Sequence, residues 1–222
     1  MRTLGQIECL DRSRLELEAP AAARGLLGAL LVRDLSTADG ERRRVVARIV
    51  ETEAYREGDP ASHSHRGRTP RCDAMFAAPG TAYVYRSFGV HWCLNVSVEE
   101  EGRGAAVLLR AAIVLDGLEH VQTRRPSARS DRELLRGPGC LTAGIEVDRP
   151  RHDRSDLLDG EAGLRLATDG FCPEEIVAGP RVGIRAAWQT PWRFHLRGVP
   201  EVSSYRVHPA LVGGQGGAPR GR

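Results

Sequence analysis

From Arg42 to Tyr55 the chain carries its clearest β-favouring run, rich in Val and Ile, and the pattern predicts a strand over 42–55. A period of two within it puts Val45, Ala47, Ile49, Glu51, Glu53 and Tyr55 on one face. Upstream, Ala21–Leu31 predicts a helix with Pro20 suited to its first turn, and Asp39-Gly40 supplies the turn chemistry that joins two strands. Downstream, the Gly-, Pro-, His- and Arg-rich stretch Gly58–Arg71 reads as a loop. Ala82–Tyr85 and His91–Val98 then form a hairpin turning through Arg86–Gly89, and Gly102-Arg103-Gly104 turns the chain into a strand over Ala105–Val114. An antiparallel meander is the simplest topology for these strands. Asp116 is placed to cap a helix that runs through Arg125, and Arg132–Leu135 predicts a helical segment before a break at Gly137-Pro138-Gly139. Leu164–Thr168, Pro180–Ala187 and Trp192–Arg197 predict further strands. The fold class expected is α+β: one mixed domain over residues 1–212, built on a mainly antiparallel sheet with flanking helices. Residues 213–222 (GGQGGAPRGR) lack any periodicity and predict a disordered tail.

Composition narrows the class. With 222 residues, 41% hydrophobic and 27% charged, the chain suits one soluble domain able to bury a sizeable core. No apolar run reaches the ~18–20 residues of a membrane span, and the start, MRTLGQIECLDRSRLELE, has charge where a signal peptide needs an apolar stretch. A cytoplasmic location without a membrane partner is therefore expected. The five cysteines, Cys9, Cys72, Cys93, Cys140 and Cys172, form neither a zinc-ribbon spacing nor a disulfide framework, so free and mostly buried thiols are expected. All 32 basic residues are arginine; the combination of Arg, Ala and Gly richness with no lysine points to a high-GC bacterial genome. A Schiff-base mechanism needs a nucleophilic amine, which leaves only the α-amino group to supply one. The net charge of +3 is weak evidence for nucleic acid by itself. Local clusters at Arg42–Arg44, at Arg66, Arg68 and Arg71, and at Arg124-Arg125 suit either phosphate contacts or a solvated face.

Candidate chemistry begins where the apolar row of the 42–55 strand runs into Glu51 and Glu53. Two carboxylates on a core-facing row must be solvated at the strand end or compensated by a cation, an arrangement that serves either an active site or a structural ion pair. Leu108 and Arg110 share a face, and Arg110 reaches the Glu53 region if the two strands pair. Tyr83 and Tyr85 also share a face, while Phe88 sits at a hairpin tip, where a ring either folds back on its own hairpin or inserts into a partner. His63 and His65 lack a third ligand in motif spacing, so no metal is expected.

These residues fall into an ordered set: Arg48-Ile49-Val50-Glu51-Thr52-Glu53-Ala54-Tyr55, His63, Thr69-Pro70-Arg71, Met75-Phe76, Pro79-Gly80-Thr81, Tyr83-Val84-Tyr85, Gly89, Asn95-Val96-Ser97 and Val107-Leu108-Leu109-Arg110. Over roughly residues 45–120 the set resembles the alkyladenine (3-methyladenine or methylpurine) DNA glycosylase family, with weaker agreement at Gly137-Pro138-Gly139 and Arg193–Gly198. The resemblance implies a curved antiparallel sheet and a basic face for the minor groove of duplex DNA. It implies Glu53 as general base and Arg110 as its companion in holding the water. It further implies a base pocket of Tyr55, His63 and Tyr85, with Asn95 screening the purine's minor-groove edge, and Phe88 as the wedge left in the helix. Leu108 joins that pocket through the face it shares with Arg110. Departures from the family pattern are Cys140 in place of a basic residue after Gly-Pro-Gly, polar Arg86-Ser87 in the turn, and bulky His91-Trp92 in the next strand.

The function expected is that of a monomeric, cofactor-free, monofunctional glycosylase acting on double-stranded DNA containing damaged purines in a bacterial nucleoid. A protein that captures lesions without excising them is the alternative from another class. An RNA- or nucleotide-binding domain on the same scaffold is the third reading.

Overall fold

The computed structural model describes residues 4–36, 42–205 and 207. The Asp39-Gly40 turn and the tail at 213–222 lie outside the described residues. In chain order the elements are β1 (Glu8–Cys9), α1 (Ala19–Gly25), β2 (Leu30–Ser36), β3 (Arg42–Tyr55), β4 (Ala82–Ser87), β5 (His91–Ser97), β6 (Ala106–Asp116), α2 (Leu118–Arg124), α3 (Pro138–Gly144), α4 (Arg149–His152), β7 (Leu164–Thr168), β8 (Ile176–Gly179) and β9 (Arg193–Leu196). The strands form one sheet in the order β1-β7-β2-β3-β6-β5-β4, with β9 joined to β3 and β8 to β9. Every pairing between these strands is antiparallel, so the fold is α+β. The meander holds for β4-β5-β6, but β3 pairs with β6 across the intervening hairpin. Among the described residues no helix is long and apolar enough to cross a membrane.

β3 and β6 form the spine, and their irregularities aim the site. Ile49 pairs with Ala112, Glu51 with Ala111 and Thr52 with Leu109, so Val50 on one strand and Arg110 on the other are each an extra residue without a partner in the ladder. Bulges of this kind redirect the side chains that follow them. Val45, Ala47 and Ile49 join the main core from odd positions, whereas Val50 and Ala54 join it from even ones. The single face expected over 45–55 is therefore corrected. Past the bulge the core row passes to even numbers, and Glu51, Glu53 and Tyr55 turn to the opposite face. There the other edge of β3 also changes partner, from β2 at 42–48 to β9 at Glu51–Glu53.

The core lies between this sheet and α1, whose Ala22 and Ala23 are fully buried together with Leu26 beyond its end. Each such leucine contributes about 1.5–3 kcal/mol by leaving water. Thr52 Oγ1 donates to the Ala23 carbonyl at 2.8 Å, which ties α1 to the core side of β3.

Several local expectations are corrected. The helix ends at Gly25, because Gly28 takes φ +88 and a Cβ there would lie 2.9 Å from the Phe171 ring; Leu30 and Leu31 belong to β2. Arg86 and Ser87 extend β4, so the hairpin turn is confined to Phe88–Val90. Asp116 ends β6 and accepts from the Gly117 amide at 2.9 Å; Gly117 itself is the N-cap of α2, without a side-chain cap. Arg132–Leu135 gives only a 3-10 turn at Asp131–Glu133, and Gly137-Pro138-Gly139 starts a helix, with Pro138 tolerated in its first turn where no amide is needed. Pro180–Ala187 is not a strand, since the Val182 amide donates to a carboxylate rather than to a ladder.

Candidate active site

In-register pairing across four strands brings the candidate residues together. Glu53 lies opposite Leu108, Leu108 opposite Asn95, and Asn95 opposite Tyr83, so β3, β6, β5 and β4 present one row across one face. Stepping two residues along the outer strands adds Tyr55 and Tyr85. These side chains line a cavity of about 430 Å³ whose wall also includes His63 and Arg71 of the 56–72 loop, Pro138, and Val182–Ile184. All eight residues singled out in the sequence, Glu53, Tyr55, His63, Tyr85, Phe88, Asn95, Leu108 and Arg110, line it.

Glu53 is fully buried. Its Oε2 accepts from the Tyr55 hydroxyl at 2.8 Å and from Arg110 Nη1 at 3.2 Å, and its Oε1 accepts from the Val182 amide at 2.7 Å. A carboxylate offers about four acceptor positions, so these three donors leave one for a water or substrate hydroxyl. Arg110 also donates from Nε to Glu51 Oε1 at 3.1 Å. Burial works against its charge, but Glu53 and Glu51 outweigh that cost and hold its pKa above the usual guanidinium value. The pairing of Arg110 with Glu53 expected from the strand faces is thus present, and the charges are compensated rather than solvated.

Glu51, noted in the sequence only as the second carboxylate, proves to be a buried junction. It accepts from Arg193 Nε at 2.6 Å, from the Ser203 amide at 2.9 Å and from the Ser203 hydroxyl at 2.6 Å, besides Arg110. Desolvation pushes its pKa up, yet Arg110, Arg193 and Ser203 together bring it below its ordinary value.

The aromatic wall is equally ordered. The Tyr83 and Tyr85 ring centroids lie 5.5 Å apart at an interplanar angle of 30°, and the edge of His63 meets Tyr85 at 4.6 Å. His63 Nδ1 pairs with the Tyr83 hydroxyl at 2.8 Å, and Arg71 Nη2 lies 3.3 Å from Nε2. Since a guanidinium only donates, Nε2 accepts and Nδ1 carries the proton. The imidazole is neutral, its pKa drawn down to about 4 by desolvation at the cavity wall and then by the Arg71 charge. Tyr55 has its pKa pushed well up, first by burial and then by the Glu53 charge beside its hydroxyl. Asn95 donates from Nδ2 to the Tyr83 carbonyl at 3.0 Å, which fixes its amide plane in the cavity floor.

At the cavity mouth Phe88 is 97% exposed with φ +50, a left-handed conformation that a bulky residue rarely adopts. The ring therefore does not fold back on its hairpin. Val90 beside it is also exposed.

Other expectations fare differently. Arg44 pairs with Asp34, Arg68 with Asp73 and Arg124 with Glu146, so much of the arginine clustering serves internal ion pairs; of the clustered arginines, Arg71 lines the cavity. The cysteines are free, but only Cys72 and Cys93 are buried, which corrects the expectation of mostly buried thiols. Cys140 accepts from Arg125 Nη2 at 3.0 Å, and the Arg86 guanidinium lies 5.5 Å from the Trp92 ring centroid. Arg181, Asp59 and Ser203 carried no sequence signal of a site, because irregular backbone or distant chain brings them in, and Arg193 was marked only by the weaker resemblance at 193–198.

The family model described as Methylpurine-DNA glycosylase (MPG) matches residues 13–200. Among similar proteins whose names assign them as 3-methyladenine DNA glycosylases, one from Nocardia farcinica is 43% identical over 206 residues, covering 90% of this chain and 92% of its own. One from Rhodococcus jostii is 44% identical over 215 residues, covering 93% and 88%, and one from Streptomyces avermitilis is 43% identical over 187 residues, covering 82% and 85%. With a matched span that contains every element from α1 to β9, and identity of this order along most of each relative, the chain belongs to the methylpurine-DNA glycosylase family.

Proposed function

We propose that the protein is a monofunctional DNA glycosylase that takes an alkylated or deaminated purine out of duplex DNA and hydrolyses its N-glycosidic bond with a water activated by Glu53. The observation that carries this reading is a fully buried carboxylate with three donors and one free acceptor position, set in the wall of an aromatic cavity.

A base inside a duplex is out of reach of Glu53, so it must be extruded at a cost of a few kcal/mol, least for damaged or mispaired bases. The exposed Phe88 ring is positioned to take the vacated place in the stack and offset part of that cost. The base then enters between Tyr55 and the Tyr85–His63 side of the cavity. For a cationic alkylated purine, attraction to these rings adds about 0.5–2 kcal/mol. Asn95, its amide plane fixed, faces the purine edge and disfavours an exocyclic amine there.

Positive charge develops on the sugar as the glycosidic bond lengthens, and ionised Glu53 stabilises it. The water oxygen bonds to the anomeric carbon, its proton passes to Glu53, and the bonding pair leaves with the purine. Arg110 orients the carboxylate through its hydrogen bond to Oε2. Lysine is missing from the sequence, so no lysine Schiff base forms and the nucleophile in this reading is water. The protein acts as a monomer on damaged duplex and needs no cofactor.

A duplex oligonucleotide with one lesion, incubated under single-turnover conditions and then cleaved with alkali, tests the reading. Strand scission at the lesion supports it. Tight lesion binding without an abasic product identifies a capture protein instead.

A further inference from the structure

We infer that Arg181, held behind Tyr55 by Asp59, is a specificity determinant that disfavours positively charged purines relative to neutral ones. This rests on the proposed role of Tyr55 as a base-stacking ring.

Arg181 is 1% exposed, and its guanidinium lies 4.7 Å from the Tyr55 ring centroid and 5.4 Å from that of Trp192. Asp59 grips it in a fork: Nη2 donates to Oδ1 at 3.0 Å and Nη1 to Oδ2, while Nη1 also donates to the Ala54 carbonyl at 3.0 Å. Tyr55 lines the cavity and Arg181 does not, so the guanidinium meets the ring from outside the cavity. The same clasp joins two irregular segments of the wall, because Asp59 opens the loop that carries His63 and Arg181 precedes Val182, whose amide holds Glu53.

A cation behind an aromatic ring withdraws the π density that would attract a second cation in front of it, and it repels that cation directly. With the guanidinium 4.7 Å from the ring on one side and a base stacked on the other, the two charges stand about 8 Å apart. Asp59, paired with the guanidinium, attenuates the repulsion without cancelling it. At an effective dielectric of about 20 the remainder amounts to about threefold in relative rate. A neutral deaminated or etheno-type base escapes this penalty.

The test uses the full chain and two duplexes, one with cationic 7-methylguanine and one with neutral hypoxanthine, and reads the ratio of their single-turnover rate constants. Replacing the pair by Arg181→Met with Asp59→Asn raises the cationic-to-neutral ratio about threefold. Asp59→Asn alone moves it the opposite way, because the cation then loses its counter-charge. Arg181→Lys keeps the charge, loosens the clasp and slows both reactions with little change in ratio. In a Tyr55→Leu background the neutral pair still raises the ratio, because the direct repulsion between the two charges needs no ring. An unchanged ratio in both the neutral pair and Asp59→Asn overturns the inference, and it does so alone if Tyr55→Leu slows both reactions. Wild-type rates for both lesions in Tyr55→Leu overturn the stacking role and the inference together.

Discussion

Glu51→Gln is the substitution that most severely tests the electrostatic design of the site. The wild-type carboxylate is fully buried and joins Arg110, Arg193 and Ser203, so it anchors the bulge of β6, strand β9 and the segment that follows β9 at one point. A glutamine fills the same volume but supplies only one acceptor oxygen, and its amide group then faces donors. Removing one partner from a buried ion pair costs about 3–5 kcal/mol. The lower end applies, because Arg110 keeps Glu53 and Arg193 keeps the Ser203 carbonyl. A loss of about 3 kcal/mol lowers the Tm of a domain this size by about 6–12 °C. The pH dependence has a definite sign. Glu51 has a folded pKa below its ordinary value of 4.5, so its contribution is present above about pH 4.5 and is lost as pH falls through the folded value. Urea unfolding of both proteins at about pH 7 and about pH 3 should show a smaller gap at the lower pH than at the higher. A stability loss under about 1 kcal/mol at neutral pH, or a gap that does not narrow in acid, refutes the reasoning.

Three further outcomes follow from the geometry. Phe88→Ala should slow excision from duplex DNA by about tenfold, because base-to-ring stacking is worth about 1–3 kcal/mol, while a lesion in single-stranded DNA is released nearly as before; parallel single-turnover rates decide it. Gly117→Ala should destabilise by more than about 2 kcal/mol in chemical unfolding, since φ is +73 and the new Cβ would lie 2.2 Å from the Arg44 carbonyl oxygen. The His63 imidazole should titrate near 4 by NMR, below the 6.5 of a free ring, so that falling pH between those values favours the unfolded chain; a midpoint above 6 contradicts the neutral tautomer assigned to it.

Much of the site was legible because it lies on strands. Period-two alternation puts Tyr83 with Tyr85 and Leu108 with Arg110, and the antiparallel register then sets Glu53, Leu108, Asn95 and Tyr83 in a row. The two bulges were not legible. They fall where β3 changes neighbours, from β2 to β9, and nothing between Ile49 and Thr52 marks this locally. Arg181 and Asp59 escaped notice for a related reason: each lies in irregular backbone and gains meaning only from the other, 122 positions away. The helix that ends early at Gly25 shows the familiar weakness of element boundaries, which packing against Phe171 decides here.

The chemistry converges on Glu53, and one variant tests it most directly. Purified Glu53→Gln should bind a lesion-bearing duplex within about threefold of wild type while its single-turnover rate of base release falls by about 10³-fold, the scale on which a positioned general base acts. Base release within about tenfold of wild type, with binding intact, would place the water's activation elsewhere in the cavity.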